Sequence, residues 1–185
     1  MNQIRLFNIF MDRNQELPFE DISKTPIELT ATNTLLRLVE GLAFRYRWAT
    51  ENLSEEDIKF RPHPTSMSIE EVNSHIFDLV DSTFRVFGGE KQNKDSLNSF
   101  QQIRMKSLLV LENLTIKLKK MSDSELAEME KNTSRKLPFW YWINGPLADA
   151  LTHVGQITSW RRIAGNPQLK GVNVFIGTSD KVEMY

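Results

Sequence analysis

Apolar side chains recur at the intervals i, i+3, i+4 and i+7 in four long segments, the pattern of a helix that buries one stripe of its surface. The predicted helices run from about Thr32 to Glu51, from Ser68 to the pair Gly88-Gly89, from Phe100 to Met121 and from Pro146 to Ala164. No alternating apolar and polar pattern of any length accompanies them. The sequence therefore predicts an all-α fold, arranged as an antiparallel four-helix bundle.

The segments between these helices indicate turns and connectors. Residues 52–57 are rich in capping side chains and predict a turn, and the two prolines within residues 61–64 predict a loop. Residues 122–131 indicate a short helical turn, followed by a polar connector over residues 131–136. In the tail, Val172 to Ile176 predicts a short extended segment packed on the bundle.

Composition and charge narrow the class of protein. The chain has 185 residues, with 23 Lys and Arg against 24 Asp and Glu, so we expect one domain over residues 1–185 and no nucleic-acid partner bound through net charge. The absence of cysteine excludes a cysteine nucleophile and any thiolate metal site. No apolar run is long enough to span a bilayer, and the patch Leu6–Met11 lacks the features of a signal peptide. We therefore expect a cytoplasmic protein without a membrane partner.

Three histidines are the strongest chemical signal. Asp149 and His153 are four residues apart on the last predicted helix, which places both side chains on one face, and Gln156 continues that face. His75 lies within the second helix and is expected to point into or along the bundle, where facing helices commonly build metal sites. His63, between two prolines, is expected to face solvent and is left out of the site.

Two histidines and one carboxylate can bind a divalent metal and leave coordination positions for water or substrate. Such an ion acidifies a bound water or thiol, which supplies the nucleophile that this cysteine-free chain lacks. Structural interpretations stay open beside this one. Asp149 could equally be an acidic residue in the first helical turn, where the helix dipole favours it. His75 could equally be a core histidine with its hydrogen bonds satisfied.

Two stretches carry a resemblance to a known family. Residues 68–76, with His75, and residues 147–157, with His153 and followed by Arg161-Arg162, resemble the DinB-like superfamily. This superfamily includes the YfiT-like metal-dependent hydrolases and the bacterial thiol S-transferases. The resemblance covers roughly residues 30–166 and leaves out an N-terminal arm and a C-terminal tail. It implies an up-down-down-up bundle with one histidine from the second helix and an H-x-x-x-H pair from the last.

Carried over by position, His75 matches the ligand of the second helix and His153 the second histidine of the pair. Asp149 takes the place of the first histidine, a departure that lowers the charge of the site and moves its preference toward harder metals. The resemblance implies a divalent metal cofactor: zinc first, with nickel, iron or manganese as alternatives. It further implies a homodimer and a small-molecule substrate such as a low-molecular-weight thiol.

Aromatic and basic residues surround these segments. Tyr46 and Trp48 at helical spacing are expected in the core, whereas Arg161 and Arg162 are expected at the surface, where their charge interacts favourably with the helix dipole. The alternative is that these arginines, with Arg45 of the first helix, line a pocket mouth and bind a substrate carboxylate. The aromatic residues 139–142 are expected to cover the open end of the bundle or to form a subunit contact.

Three functions remain open from the sequence. The first is a metal-dependent transferase or hydrolase with the ligands His75, Asp149 and His153; no residue is assigned a catalytic role beyond metal binding. The second is a non-catalytic binding or stress-associated bundle in which these residues make structural contacts. The third, a module that presents a helix face to a protein partner, predicts a large exposed apolar patch.

Overall fold

The structure is a computed structural model that describes residues 17–22, 28–132 and 137–180. Helices make up most of it, which confirms the all-α prediction. The helices are α1 (Ala31–Ala49), α2 (Glu55–Lys59), α3 (Ile69–Val86), α4 (Phe100–Lys120), α5 (Asp123–Asn132), α6 (Trp140–Trp142) and α7 (Ala148–Ile163). The patch Leu6–Met11 and residues 133–136 of the predicted connector lie outside the described residues.

Helices α1, α3 and α4 begin at side-chain caps, whereas α7 has none. The hydroxyl of Thr30 accepts from the backbone N–H of Asn33 at 3.1 Å at the start of α1. Ser68 and Glu71 form a reciprocal capping box at the start of α3, where the serine hydroxyl and the carboxylate each accept a backbone N–H. Each bond satisfies a donor that the first helical turn leaves unpaired.

Each of the four long helices packs against two others. Helix α1 contacts α4 and α7, and helix α3 contacts the same two helices. The side chains between them are apolar and almost fully buried, and the central ones are Val39, Leu42, Val72, Ile76, Val80, Leu111, Leu114, Ala150, Val154 and Ile157. Burial of these stripes is the main favourable term in folding, so the core fixes how α3 and α7 face each other.

Three local predictions are corrected by the structure. Residues 55–57, predicted as part of a turn, belong to helix α2, because Ser54 and Asp57 make a capping box and Ile58 is buried. Residues 123–132 form a full helix, α5, rather than a single turn. The last long helix does not start at Pro146: helical turns begin at Trp140 and continue through a wide π turn at Ile143–Leu147.

Tyr46 and Trp48 are buried, as predicted. The phenol of Tyr46 donates to Asn73 Oδ1 at 2.5 Å, and burial raises its pKa above the ordinary range. In the aromatic segment, Trp142 is buried, whereas Trp140 and Tyr141 are exposed and stack on each other at 4.3 Å between ring centroids.

The surface prediction for Arg161 is wrong. Its side chain is fully buried, and its guanidinium donates to the carbonyl oxygens of Trp48 and Ala49, at 3.2 and 2.9 Å, and of Asn166 at 2.8 Å. Arg161 thus supplies donors to the last carbonyl groups of α1, which have no i+4 partner within the helix. Arg162, its neighbour, is exposed as predicted.

The tail forms a hairpin rather than one extended segment. Strands β1 (Val172–Asn173) and β2 (Thr178–Ser179) pair antiparallel, with residues 174–177 in the turn between them. The carbonyl of Gly177 accepts from the N–H of Ile22 at 2.8 Å, and a Cβ on Gly177 would lie 2.4 Å from the Ile22 side chain. The N-terminal arm therefore holds the hairpin in place. Among the described residues, no helix is long and apolar enough to cross a membrane.

Candidate metal centre

Helix α3 supplies His75 to the side of the interface that faces α7. The capping box of Ser68 and Glu71 fixes the start of α3. A hydrogen bond from Arg61, and to a smaller extent one from the backbone N–H of Ser68, lowers the pKa of Glu71 to about 2. One turn into the helix, Val72 and Ile76 are fully buried against the core. This packing sets the rotation of α3 and leaves His75 beside the core, with its ring toward α7.

Helix α7 supplies Asp149 and His153, one turn apart on the same face. A π turn directly precedes the helix, where Pro146 lacks the N–H for a regular helical bond and Gly145 has the non-helical angles φ −81° and ψ −105°. Wide turns of this kind are frequent at functional sites, and this one ends next to Ala148. The buried residue Ala150 then fixes α7 against the core.

The structure brings all three predicted ligands together. The Nε2 atom of His75 lies 3.5 Å from Oδ2 of Asp149, and Nε2 of His153 lies 3.4 Å from Oδ1 of the same carboxylate. The two imidazole rings stand at 88° to each other with 4.7 Å between their centroids. One ligand atom from each residue falls within 4.8 Å of the others, so the three side chains can hold a metal ion.

The two distances from histidine nitrogen to Asp149 oxygen lie closer to the edge of a coordination shell than to a hydrogen bond, within a set of ligand atoms that spans up to 4.8 Å. Both nitrogen-to-oxygen distances exceed the usual 2.7–3.2 Å range of an N–H···O bond. In a tetrahedral zinc site with bonds of about 2.0–2.1 Å, neighbouring ligand atoms are about 3.4 Å apart. Asp149 lies in the first turn of α7, as the alternative of a first-turn acid predicts, but its carboxylate has no hydrogen bond from the residues that the structure describes.

Gln156 determines which nitrogen of His153 is available as a ligand. Its Oε1 atom lies 2.7 Å from Nδ1 of His153. Because an amide oxygen only accepts, this contact is a hydrogen bond when Nδ1 carries the hydrogen, which is the tautomer that has a bare lone pair on Nε2. Metal-binding histidines commonly donate their other N–H in this way, which fixes the tautomer and the ring orientation. The sequence analysis placed Gln156 on this helix face but did not predict its hydrogen bond to His153. The i, i+3 spacing of the two residues is the sequence feature that could have indicated it.

The centre is open to solvent on one side. The side chains of His75 and Asp149 are 38% and 45% exposed, whereas that of His153 is 14% exposed. A small molecule can therefore approach the three side chains without a change in the fold. His63 lies apart from the cluster, as predicted: it is exposed on its loop, with Nδ1 2.8 Å from the hydroxyl of Thr65.

Comparison with known proteins does not identify a relative. No protein-family model, curated protein or solved structure matches the chain. The resemblance to the DinB-like superfamily is therefore carried by the residues of the two helices alone.

Proposed function

We propose that this protein is a divalent-metal-dependent enzyme in which His75, Asp149 and His153 hold the ion. The substrate is a small molecule, and the nucleophile is water or a low-molecular-weight thiol. Two protein nitrogens and one carboxylate leave positions on the ion for both nucleophile and substrate, which is the arrangement of catalytic rather than structural zinc sites.

One observation carries this proposal. With the hydrogen of the neutral ring on Nδ1, the lone pair of His153 Nε2 lies 3.4 Å from Oδ1 of Asp149. Two electron-rich atoms at this distance repel each other unless positive charge lies between them. A divalent cation supplies that charge and binds both atoms. The alternative source of this positive charge is a proton on His153. The two explanations differ in whether the protein binds a metal ion.

The chemistry of the donor set favours zinc, with nickel, iron and manganese as alternatives. When bound, such an ion lowers the pKa of a coordinated water or thiol and so supplies a nucleophile near neutral pH. The residues of the chain bind the ion and orient its ligands. Gln156 keeps His153 in the ligating tautomer, and Asp149 offsets part of the charge of the ion. The exposed edge at His75 and Asp149 admits the substrate.

We further propose that the four long helices form an up-down-down-up bundle of the DinB-like kind. The contacts at the helix ends support this arrangement, because α3 and α4 both begin, and α7 ends, beside the C-terminal end of α1. We also propose a homodimer in which the exposed pair Trp140 and Tyr141 contributes to the contact. Sedimentation of Trp140→Ser as a monomer, against a wild-type dimer, tests this.

The function is tested with untagged protein, stripped of metal and then loaded with one equivalent of zinc, nickel, manganese or anaerobic iron. Two reactions are followed: consumption of a low-molecular-weight thiol by an added electrophile, and hydrolysis of an activated ester. We expect at least one reaction to require the loaded wild-type protein and to be lost in His153→Ala. Metal binding without either reaction contradicts the enzyme and favours the non-catalytic bundle; equal rates for stripped and loaded protein contradict a role of the metal.

A further inference from the structure

A groove lies on the side of α7 opposite the metal centre. It has a volume of about 610 Å³ and lies between α7, α1 and the C-terminal hairpin. Its helical lining comes from residues 151, 154, 155, 158, 159 and 162, whereas the metal centre uses residues 149, 153 and 156 of the same helix. At about 100° per residue these two sets point to opposite sides of α7, so the groove is separate from the metal centre.

The groove has an apolar wall. Leu151 and Val154 of α7 form one side, and Leu169, Val172 and Val174 of the tail form the other. The second side is fixed in place, because the hairpin is bonded to the N-terminal arm through Ile22 and Asp21 and to α1 through Arg45. A volume of this size with apolar walls is typical of small-molecule sites.

Two arginines give the groove its charge. The guanidinium of Arg45 donates to the carbonyl oxygens of Gly41 at 3.1 Å and of Val174 at 3.0 Å, which holds it in position without neutralising it. Of its five N–H donors, these bonds use two. Arg162 is exposed and has no side-chain partner in the part of the chain that the structure describes. Within the described ranges of the chain, no acidic residue lines the groove.

Charge and apolar surface together define the ligand. A positively charged rim without a carboxylate selects an anion, and the planar guanidinium fork matches a carboxylate with two parallel hydrogen bonds. The apolar walls select a hydrocarbon chain on that anion. We propose that this groove binds a small amphiphilic carboxylate, with the carboxylate between Arg45 and Arg162 and the chain against Val154 and Val172. The proposal does not depend on the metal centre.

Gly155 provides a steric test on the floor of the groove. A Cβ built on this residue meets no atom within 4 Å, so a larger side chain enters open space rather than the core. Gly155→Leu therefore fills the groove without a change of charge, and replacement of this glycine by leucine or alanine improves helix propensity. Gly155→Ala is the matched control, because its single methyl group leaves most of the groove open.

The test is a calorimetric titration of the full chain with octanoate. Octan-1-ol and octyltrimethylammonium serve as probes with the same chain and no negative charge, and octyl phosphate as a second anion. We expect octanoate to bind at one site per chain, with the uncharged and cationic probes weaker by about tenfold or more. Arg162→Gln and Gly155→Leu should each weaken octanoate binding by about tenfold or more, whereas Arg85→Gln and Gly155→Ala should leave it unchanged.

Several results overturn the proposal. Equal affinity for octanoate and octanol means that the groove recognises apolar surface alone, and binding of octyl phosphate without octanoate means that it is not a carboxylate site. Octanoate binding that survives both Arg162→Gln and Gly155→Leu, with far-UV circular dichroism equal to wild type, places the ligand elsewhere. A change of sedimenting mass in Gly155→Leu identifies the groove as an interface between copies of the chain, and no octanoate binding refutes the site.

Discussion

The imidazole rings of His75 and His153 stand almost perpendicular to each other, with 4.7 Å between their centroids, although they come from different helices. The carboxylate of Asp149 contacts both rings at 3.5 and 3.4 Å, distances that are too long for hydrogen bonds. The three side chains therefore converge on a shared space without satisfying one another. A cation in that space satisfies all three.

Two substitutions of Asp149 test whether its charge or only its position matters for metal binding. Asp149→Asn keeps the size of the side chain and removes the negative charge, so we expect zinc affinity to fall by about 100-fold or more, beyond the 10–100-fold that loss of an outer partner costs. Asp149→His introduces the histidine pair of the DinB-like pattern. We expect this variant to keep one zinc per chain and to lose manganese affinity, because imidazole is a softer ligand than carboxylate.

Both variants are checked by calorimetric titration of the metal-free protein with zinc and then with manganese. Unchanged zinc affinity in Asp149→Asn would show that the carboxylate is not a ligand. Loss of zinc in Asp149→His with an intact far-UV spectrum would show that a histidine at this position cannot act as a ligand.

The bond between Gln156 and His153 predicts an indirect effect on metal binding. Gln156→Leu removes the acceptor of the Nδ1 hydrogen, so the ring loses its fixed tautomer and orientation, and we expect metal affinity to fall by about 10–100-fold. Gln156→Glu restores an acceptor at the same reach and should recover the affinity. A structural role alone predicts that both variants change thermal stability and leave metal affinity at the wild-type value.

The burial of the Arg161 guanidinium predicts that its replacement lowers stability much more than replacement of its exposed neighbour Arg162. Arg161→Leu removes the donor from the carbonyl oxygens of Ala49 and Asn166 and one of the donors from that of Trp48, so we expect a loss of about 3 kcal/mol or more in the free energy of unfolding. Arg162→Leu, one residue along, removes an exposed side chain and should change this free energy by about 0.5 kcal/mol at most. Urea denaturation of the two variants makes the comparison, and equal losses would contradict the burial of Arg161.

Glu71 predicts how stability depends on pH. The hydrogen bond from Arg61, followed by that from the Ser68 N–H, lowers its pKa from 4.5 to about 2. A lowered pKa in the folded state stabilises the protein above the ordinary pKa, and this contribution is lost as pH falls from 4.5 toward 2. In Glu71→Gln the amide oxygen still accepts from Ser68, but the charge is absent. The difference in Tm between wild type and variant should therefore be constant above pH 5 and shrink toward about pH 2; a difference that stays constant throughout would contradict it.

Most of the helical architecture follows from periodicity. The predicted first helix, from Thr32 to Glu51, differs from α1 by at most two residues at either end, because its apolar stripe packs where the pattern places it. The pairing of Asp149 with His153 follows equally from the i, i+4 spacing. Their meeting with His75 depends on how α3 packs on α7, which periodicity alone does not give.

What the sequence could not give depends on tertiary partners. Arg161 has the position of a surface residue in the last turn of α7, and only the approach of the C-terminus of α1 supplies the carbonyl groups that bury it. The π turn at Ile143–Leu147 is equally hidden, since Pro146 is as compatible with a helix start as with an interruption. The groove needs the hairpin in place, and the hairpin is fixed by contacts with Asp21 and Ile22.

The central claim is that His75, Asp149 and His153 form one metal site. The direct measurement is a zinc titration of the untagged, metal-free protein, with elemental analysis of the product, for wild type, His75→Ala, His153→Ala and the matched control His63→Ala. The account predicts one zinc per chain in wild type and His63→Ala, and loss of that zinc in both other variants. Zinc binding that is unchanged in His75→Ala and His153→Ala, or absent from the wild type, would contradict it.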